Sequence, residues 1–178
     1  NLGIYRMQVF DNRTTGMHMQ IQKGGGFHHQ LAEKRGIPLQ MAAVLGGDPA
    51  LTIAAVMPLP EGLDELSFLG LIRGSRTHMT RGKSIDFFIP SNAEFVLEGY
   101  VEPNSRRLEG PFGDHYGHYS EAEDFPVFTI TQITRRRSPI YPATVVGKPP
   151  QEDKYLGEAT QSILGPLSRL IHKEIIDI

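Results

Sequence analysis

The chain has 178 residues, of which 39% are hydrophobic and 21% charged, with a formal net charge of -2 and a pI near 6.4. These values are typical of one ordinary globular domain, and so small a charge gives no overall field favouring nucleic acid or an anionic membrane. The absence of cysteine excludes disulfides, thiolate nucleophiles and Cys-ligated zinc. No apolar run approaches the roughly 18 residues that span a bilayer, and we expect a cytoplasmic protein.

The first quarter of the chain is predicted to open with two strands and a helix. The strands, residues 4–10 and 17–22, are joined by a turn-rich segment at 11–16. A glycine run at 24–26 precedes a short helix from His28 to Arg35.

The middle of the chain alternates short helices with strands. Asp48-Pro49 is an N-cap followed by proline at the first helical position, which predicts a helix through Val56. A second helix is expected over residues 64–72, ended by Gly74, and residues 102–124 are predicted to be a long loop of the kind that is often functional. Further strands are predicted at 37–45, 76–80, 86–89, 94–101, 125–134 and 140–146.

From Asp153 onward the apolar residues recur at helical spacing, and Gly165-Pro166 is expected to break this helix in two. We therefore predict a mainly β (α+β) domain with short helices and a C-terminal helical arm, its strands forming a closed barrel or sandwich. The chain begins at Asn1 and ends on apolar residues, which leads us to expect a piece of a longer polypeptide.

Two carboxylates are the first candidates for chemistry. Glu109 and Asp114 lie five residues apart in a segment that glycine and proline interrupt, so a turn can bring both to one concave surface. Paired carboxyls in a cleft can separate their pKa values and leave one protonated near neutral pH. The alternative is a surface turn with solvated acids.

Arg6 and Lys23 are candidate anion-binding residues. Arg6 lies within an apolar strand, where a guanidinium is costly to bury unless it meets an anion; an edge position that reaches water is the alternative. Lys23 with the glycines at 24–26 could form a phosphate-binding nest, or the run could be a plain turn. His28 and His29 are adjacent and have no metal-binding spacing, and Glu65 in a helical first turn could serve only the helix dipole.

Taken in order, the motifs resemble the UbiD decarboxylase family over essentially the whole chain. The segments that carry the resemblance are Asn-Leu-Gly-Ile-Tyr-Arg-Met-Gln-Val (1–9), Leu-Gly-Gly-Asp-Pro-Ala (45–50), Leu-Gly-Leu-Ile-Arg-Gly (69–74), Ile-Pro-Ser-Asn-Ala-Glu-Phe-Val-Leu-Glu-Gly (89–99), Glu-Gly-Pro-Phe-Gly-Asp (109–114), Phe-Pro-Val-Phe (125–128) and Gly-Lys-Pro-Pro-Gln-Glu-Asp (147–153).

The resemblance implies a split antiparallel β-barrel of the flavin-reductase, FMN-binding type. Residues 1–150 would form the domain that binds prenylated FMN, and residues 151–178 would begin a connector to a C-terminal domain. The cofactor would be lined by Ile4, Tyr5, Arg6, His18, Met19, Gln20, Lys23 and Gly24.

A metal ion is also implied. Asn1 and Glu65 would bind Mn2+ or Mg2+ through side-chain oxygens, with K+ nearby in some relatives. Many relatives carry histidine at the position of Gln22, so the third ligand here would be Gln22, His28 or water.

The implied reaction is non-oxidative, reversible decarboxylation of an aromatic or α,β-unsaturated acid. Arg6 would hold the substrate carboxylate and pair with Glu109, and Asp114 would deliver the proton that replaces CO2. The modified flavin would act as the electron sink. A polyprenyl-4-hydroxybenzoate of ubiquinone biosynthesis is the first expected substrate, and a prenylated substrate would bring the enzyme to the membrane periphery.

A flavin prenyltransferase would supply the cofactor, no nucleic acid partner is expected, and the full-length protein would be a dimer or hexamer. The isolated chain is expected to bind flavin weakly and to be inactive, with an uncovered apolar face on its C-terminal helix. Two alternatives remain, an FMN-dependent oxidoreductase on the same type of barrel and a non-catalytic binding module.

Overall fold

The computed structural model describes residues 2–20, 24–59, 63–114 and 116–176. Its strands are β1 (Thr14–Gly16), β2 (Leu39–Leu45), β3 (Met79–Arg81), β4 (Phe88–Pro90), β5 (Phe95–Glu109) and β6 (Glu123–Arg135). Its helices are α1 (Gly24–Arg35), α2 (Pro49–Val56), α3 (Glu65–Arg73) and α4 (Glu152–Ile171). None of the helices described combines the length and hydropathy that crossing a bilayer requires.

A four-stranded antiparallel sheet in the order β1-β6-β5-β2 forms the centre of the domain. One of its core clusters joins the segment after β1 to the two long strands, because Met17 and Met19 pack with Val101 and Phe128. β3 and β4 form a separate two-stranded sheet. The described residues thus form a mixed α/β domain in which neither sheet closes on itself, and the split barrel stays a prediction.

Residues 102–124 are not the long loop that their polarity predicts. β5 continues to Glu109 and β6 begins at Glu123, with Arg106 opposite Pro126 and Glu109 opposite Glu123. This end of the ribbon is largely exposed, so polar side chains suit it, and periodicity cannot distinguish such a strand from a loop. The true loop is 110–122, which begins directly after Glu109.

Three further strand predictions differ from the structure. Residues 140–146 form no strand and are largely exposed, because this apolar stretch finds no strand to pair with among the described residues. Residues 4–10 form no strand, although they pair with the chain around β1 through an isolated bridge, Val9 with Thr15, and through backbone hydrogen bonds to Gln8 and Arg6. The predicted strand at 17–22 is displaced to Thr14–Gly16, and its last two residues lie outside the described part.

The helix signals of the middle segment are confirmed. Asp48 caps α2 through a hydrogen bond from Ala50 N–H to its Oδ1, and Asp64 caps α3 by accepting from Leu66 and Ser67. α3 ends at Gly74, which has the left-handed conformation that favours glycine (φ 64°).

The predicted break at Gly165-Pro166 is wrong, since α4 runs through both residues. Proline removes only one backbone donor, and the neighbouring Ile163 and Leu164 pack on the core cluster formed by α2 and α3. We expected the apolar face of this helix to be uncovered, but at Ile163 and Leu164 it is covered by that cluster.

Candidate active site

A hairpin formed by residues 4–18, called here the first hairpin, places Arg6 opposite His18. Asp11 closes its turn by accepting hydrogen bonds from the N–H groups of Arg13 and Thr14. The N–H of His18 donates to the carbonyl oxygen of Arg6 (3.1 Å). Because opposed residues of an antiparallel pair share one face, the side chains of Arg6 and His18 emerge on the same side.

The next opposed pair of the hairpin, Gln8 and Gly16, holds the start of the 110–122 loop. Gly16 N–H donates to the Gln8 carbonyl (2.7 Å), and the Gln8 side chain accepts from Gly110 N–H (2.6 Å). A tight internal hairpin then shapes the loop, with Ser120 N–H bonded to the Phe112 carbonyl and Asp114 N–H to that of His118. Asp114 is thereby brought back toward the first hairpin.

Arg6 and Asp114 face each other at this point. Arg6 Nη2 lies 3.9 Å from Asp114 Oδ2, and the guanidinium carbon is 5.8 Å from the centre of the Phe112 ring. The two charged side chains are 34% and 27% exposed, so both remain accessible to a ligand. The resemblance pairs Arg6 with Glu109, whereas the ion pair that forms among the described residues is with Asp114.

Glu109 carries a buried carboxyl. The residue is 1% exposed, and neither carboxylate oxygen has a hydrogen-bond partner among the described residues. Its carboxylate lies against the α-carbon of Gly16, where even a methyl group would overlap it. Burial raises the pKa of Glu109 to about 7, because removal from water penalises the charged form.

A second buried acid on β5 shows what a structural glutamate looks like in this fold. Glu98 is also fully buried, but its Oε2 accepts hydrogen bonds from the backbone N–H groups of Lys83 and Ser84, both at 2.7 Å. These bonds fasten the turn before β4 to the main sheet. Since buried carboxylates normally have such partners, the bare carboxyl of Glu109 is typical of a functional group instead.

His18 is an ionisable side chain beside Glu109. Its Nδ1 is 3.8 Å from Glu109 Oε1. The imidazole stacks on Phe125, with centroids 4.0 Å apart and planes inclined by 34°, and meets Phe112 edge-on at 5.8 Å. These two aromatic rings hold the imidazole in place.

A cleft of about 590 Å³ begins at His18 and runs between α1 and the segment leading into β6. The cleft is not lined by Arg6, Glu109 or Asp114. His18, which does line it, connects the cleft to these three residues. Its lining residues near the cluster are His18, Met19, Gln20, Ser120, Phe125 and Pro126, and its far end includes His29, Glu33 and Arg106.

A family model described as UbiD, the 3-octaprenyl-4-hydroxybenzoate carboxy-lyase Rift-related domain, matches residues 1–149. The chain belongs to the UbiD family. An uncharacterised protein of Archaeoglobus fulgidus is 53% identical over 179 residues, covering 100% of this chain and 37% of that relative. An uncharacterised protein of Aquifex aeolicus is 43% identical over 178 residues, covering 99% of this chain and 37% of the relative.

Solved UbiD-type structures share the fold. The closed form of Sedimentibacter hydroxybenzoicus vanillic acid decarboxylase superposes with a TM-score of 0.91 and 30% identity, over 98% of this chain and 37% of that chain. An evolved dimeric form of the UbiD-class enzyme HmfF from Pelotomaculum thermopropionicum, in complex with prFMN, superposes with a TM-score of 0.85 and 29% identity, over 94% and 39% of the two chains. The chain therefore spans little more than a third of these relatives.

The residues that the resemblance assigns to the flavin differ in exposure and in whether they line the cleft. Ile4 is exposed, and His18 and Gln20 line the cleft. Tyr5 points its hydroxyl at α1, where it accepts a hydrogen bond from Gly25 N–H (2.7 Å). Met19 borders the cleft but packs in the core.

The expected phosphate nest of this UbiD domain is only partly described. Lys23 lies outside the described residues. Gly24 opens α1, and the N–H of Gly25 is already bonded to Tyr5.

The expected metal site is also described only in part. Asn1 and Gln22 lie outside the described residues, and Glu65 is the half-buried first residue of α3. His28 is exposed on α1. No group of three or more His, Asp or Glu side chains suited to a metal ion occurs within the described residues.

Sequence reasoning missed four residues that shape this site, namely Gln8, Gly16, Phe112 and Phe125. The hairpin register contained a signal for two of them, because a turn at residues 11–13 that sets Arg6 opposite His18 also sets Gln8 opposite Gly16. The two aromatic residues belong to quoted family motifs, and their contacts with His18 depend on tertiary packing.

Proposed function

We propose that the protein containing this chain removes CO2 from an aromatic or α,β-unsaturated carboxylic acid, with prenylated FMN and a divalent metal as cofactors. The observation that carries this proposal is the convergence of Arg6, Glu109 and Asp114, which come from the first hairpin, the end of β5 and the following loop. A cationic group beside one accessible acid and one buried acid suits the binding of a carboxylate and the delivery of a proton.

Arg6 is the residue that binds the substrate carboxylate. Its guanidinium is accessible and is held over Phe112, and its partner Asp114 is 3.9 Å away, too long for a hydrogen bond. A substrate carboxylate therefore competes with Asp114 for the same cation. Asp114, displaced from the guanidinium, takes up a proton from solvent, and after CO2 has left it gives this proton to the reacting carbon, its O–H bond breaking as the C–H bond forms.

Glu109 provides a second acid whose protonation can change at working pH. With its pKa raised to about 7, the group holds or releases a proton near neutrality, which is the range that acid–base catalysis favours. Its position behind His18, away from the cleft, protects this proton from bulk water.

The prFMN bound by the HmfF enzyme supports the same cofactor here. His18 and Gln20 offer polar side chains along the cleft wall, Ile4 offers an exposed apolar one, and Arg6 shares the face of His18. These residues would hold the isoalloxazine ring, with Lys23 and Gly24 near the phosphate. When bound, prenylated FMN supplies the electron sink for the carbon chemistry.

A divalent metal completes the proposal. Glu65 at the N-terminus of α3 and Asn1 would hold Mn2+ or Mg2+ through oxygen atoms, with Gln22, His28 or water as the third ligand and K+ nearby. Glu65 suits this role because it is the half-buried first residue of α3 and does not cap the helix. Asp64 accepts the capping hydrogen bonds instead.

The proposed organisation extends beyond the described fold. Residues 1–150 are the cofactor-binding domain, and their two antiparallel sheets are parts of a split barrel; residues 151–178, which include α4, lead to a C-terminal domain. The vanillic acid decarboxylase favours an aromatic acid as the substrate class. The dimeric HmfF form supports a homo-oligomer.

The test compares full-length protein expressed with and without a flavin prenyltransferase. The proposal predicts that co-expression changes the flavin absorption spectrum and that Mn2+ is needed to retain the cofactor. Only the co-expressed protein should release CO2 from a panel of aromatic and α,β-unsaturated acids. Ordinary FMN that NADH bleaches would indicate an oxidoreductase, and colourless protein in every preparation would indicate a non-catalytic module. Either result contradicts the proposal.

A further inference from the structure

The starting observation is the isolation of the Glu109 carboxyl. Gly16 packs on one side of it, and the next residue along the chain, Gly110, is held by its hydrogen bond to the Gln8 side chain. Neither oxygen of the carboxyl has a hydrogen-bond partner among the described residues. A carboxyl that changes its protonation state needs a path for the proton, and burial removes the direct one to water.

His18 occupies the position between this carboxyl and the cleft. Its Nδ1 is 3.8 Å from Glu109 Oε1, and the residue also lines the cleft that Glu109 does not reach. Imidazole has two ring nitrogens, so it can accept a proton at one and release a proton from the other. The separation exceeds a direct hydrogen bond, and catalytic hydrogen bonds that are long without ligand shorten when the ligand binds.

We propose that His18 is a positioning residue that shares one proton with Glu109 and exchanges it with the cleft. In this step the O–H bond at Glu109 Oε1 breaks, an N–H bond forms at His18 Nδ1, and the proton on Nε2 leaves to the cleft. The reverse sequence reloads the carboxyl. The role rests on the proposed function, in which Glu109 is a catalytic acid of the decarboxylase.

The raised proton affinity of Glu109 favours this exchange. Burial brings the pKa of Glu109 to about 7, so the carboxyl can take up and release a proton near neutral pH. The rings of Phe125 and Phe112 fix the imidazole, so its nitrogens keep their direction.

The other charged groups around His18 do not replace it. Arg6 faces Asp114, and Glu33 at the far end of the cleft is paired with Arg106 (2.8 Å). Glu123 and Asp124, which line the cleft beside Phe125, are exposed acids. Of these groups, none contacts the Glu109 carboxyl.

The experiment is an infrared pH titration of the Glu109 carboxyl band in the full-length protein, with the band identified by its loss in Glu109→Gln. His18→Phe removes the proton acceptor and keeps an aromatic ring, so we expect the Glu109 pKa to rise by about one to three units. His18→Gln should give a smaller rise in the same direction, because an amide donates a hydrogen bond without carrying charge. The acidic limb of the pH profile of kcat/KM should shift in the same direction as the Glu109 pKa.

The matched control is His29→Gln. His29 is a buried histidine 3.6 Å from a glutamate, Glu33, and lies at the far end of the same cleft, so its replacement should leave the Glu109 band unchanged. An unchanged Glu109 titration in both His18 variants overturns the proposal and leaves His18 as packing for Phe125. If His18→Phe does not fold, His18→Gln decides. The titration does not require turnover, so loss of the decarboxylase assignment and loss of this role are separate results.

Discussion

Arg6 and His18 are opposed residues of the first hairpin, joined by a hydrogen bond from His18 N–H to the Arg6 carbonyl. Their side chains therefore share a face, and each meets a different acid: Arg6 faces Asp114, and His18 faces Glu109. One local backbone pairing thus organises both halves of the site. The hairpin also holds the loop that carries Asp114, through the bond from Gly110 to Gln8.

Gly16→Ala should damage the site more than the addition of a single methyl group suggests. The added methyl group would overlap the buried Glu109 carboxylate and force it to shift. Overpacking of this kind typically costs about 1–3 kcal/mol, and displacement of Glu109 should lower turnover. Melting temperature and CO2 release of the full-length protein measure both effects.

Gly157→Ala is the control for that substitution. Gly157 lies within α4, and a methyl group there meets nothing within 4 Å. Alanine is a better helix former by about 1 kcal/mol, so this variant should be as stable as the parent or more so. Equal behaviour of the two alanine variants would contradict the close packing of Gly16 on Glu109.

Asp114→Asn should retain the cofactor and lose turnover. The amide keeps the shape of the side chain but cannot return a proton, and loss of a positioned acid typically costs about 10²–10⁴-fold. Glu109→Gln should behave in the same way. The measurements are the flavin spectrum and CO2 release of each variant, and turnover of Asp114→Asn near that of the parent would remove Asp114 from the proton-donor role.

Stability should depend on pH through Glu109. Its pKa is raised from 4.5 to about 7 on folding, so the folded state binds this proton more tightly than the unfolded state. Stability from this source is complete below about pH 4.5 and is lost as the pH rises through 7, an effect of about 3 kcal/mol at most. Glu109→Gln should therefore gain melting temperature relative to the parent between pH 5 and pH 8. A constant difference over this range would contradict the raised pKa.

Tyr5→Phe should loosen the first segment from α1. The tyrosine hydroxyl accepts the hydrogen bond of Gly25 N–H, and losing it leaves a half-buried backbone donor, at a cost of about 1 kcal/mol. Flavin affinity should fall as well, because residues 4–6 would lose their hydrogen bond to α1. Tyr155→Phe is the control, since Tyr155 is exposed on α4. Equal melting temperatures and flavin affinities for the two variants would show that this bond is not needed.

Glu65→Ala should yield protein that loses both metal and flavin on purification. Removing one of the two proposed oxygen ligands should weaken binding of the metal, which in the proposed site would bind the cofactor phosphate. Metal content by mass spectrometry and flavin content by absorbance measure the outcome. Glu158→Ala removes an exposed glutamate of α4 that pairs with Lys154 and should change neither. Full metal content in Glu65→Ala would exclude Glu65 as a ligand.

Local signals in the sequence predicted the helices well. Asp48-Pro49 and the Asp64–Gly74 pair encode their helix ends through caps that involve only neighbouring residues. Pro166 misled the prediction because its local cost is offset by the packing of Ile163 and Leu164 on distant helices. The polar end of β5 was missed for a related reason, since its pairing partner in β6 is far along the chain.

The candidate site was predicted through family motifs rather than through residue patterns. Arg6, Glu109 and Asp114 are each unremarkable alone, and it is the fold that brings them together. The roles of Gly16 and His18 around Glu109 depend on a contact between the hairpin and the end of β5, which no local pattern records. The expected positions of Asn1, Gln22 and Lys23 stay predictions.

The most direct measurement is a crystal structure of the full-length protein, reconstituted with prenylated FMN and soaked with a non-reactive aromatic acid. We predict that the flavin ring lies along the face of Arg6, His18 and Gln20, with the acid's carboxylate on the Arg6 guanidinium and Asp114 beside the carbon that bears it. A flavin bound on another surface, remote from Arg6 and Asp114, would contradict the account.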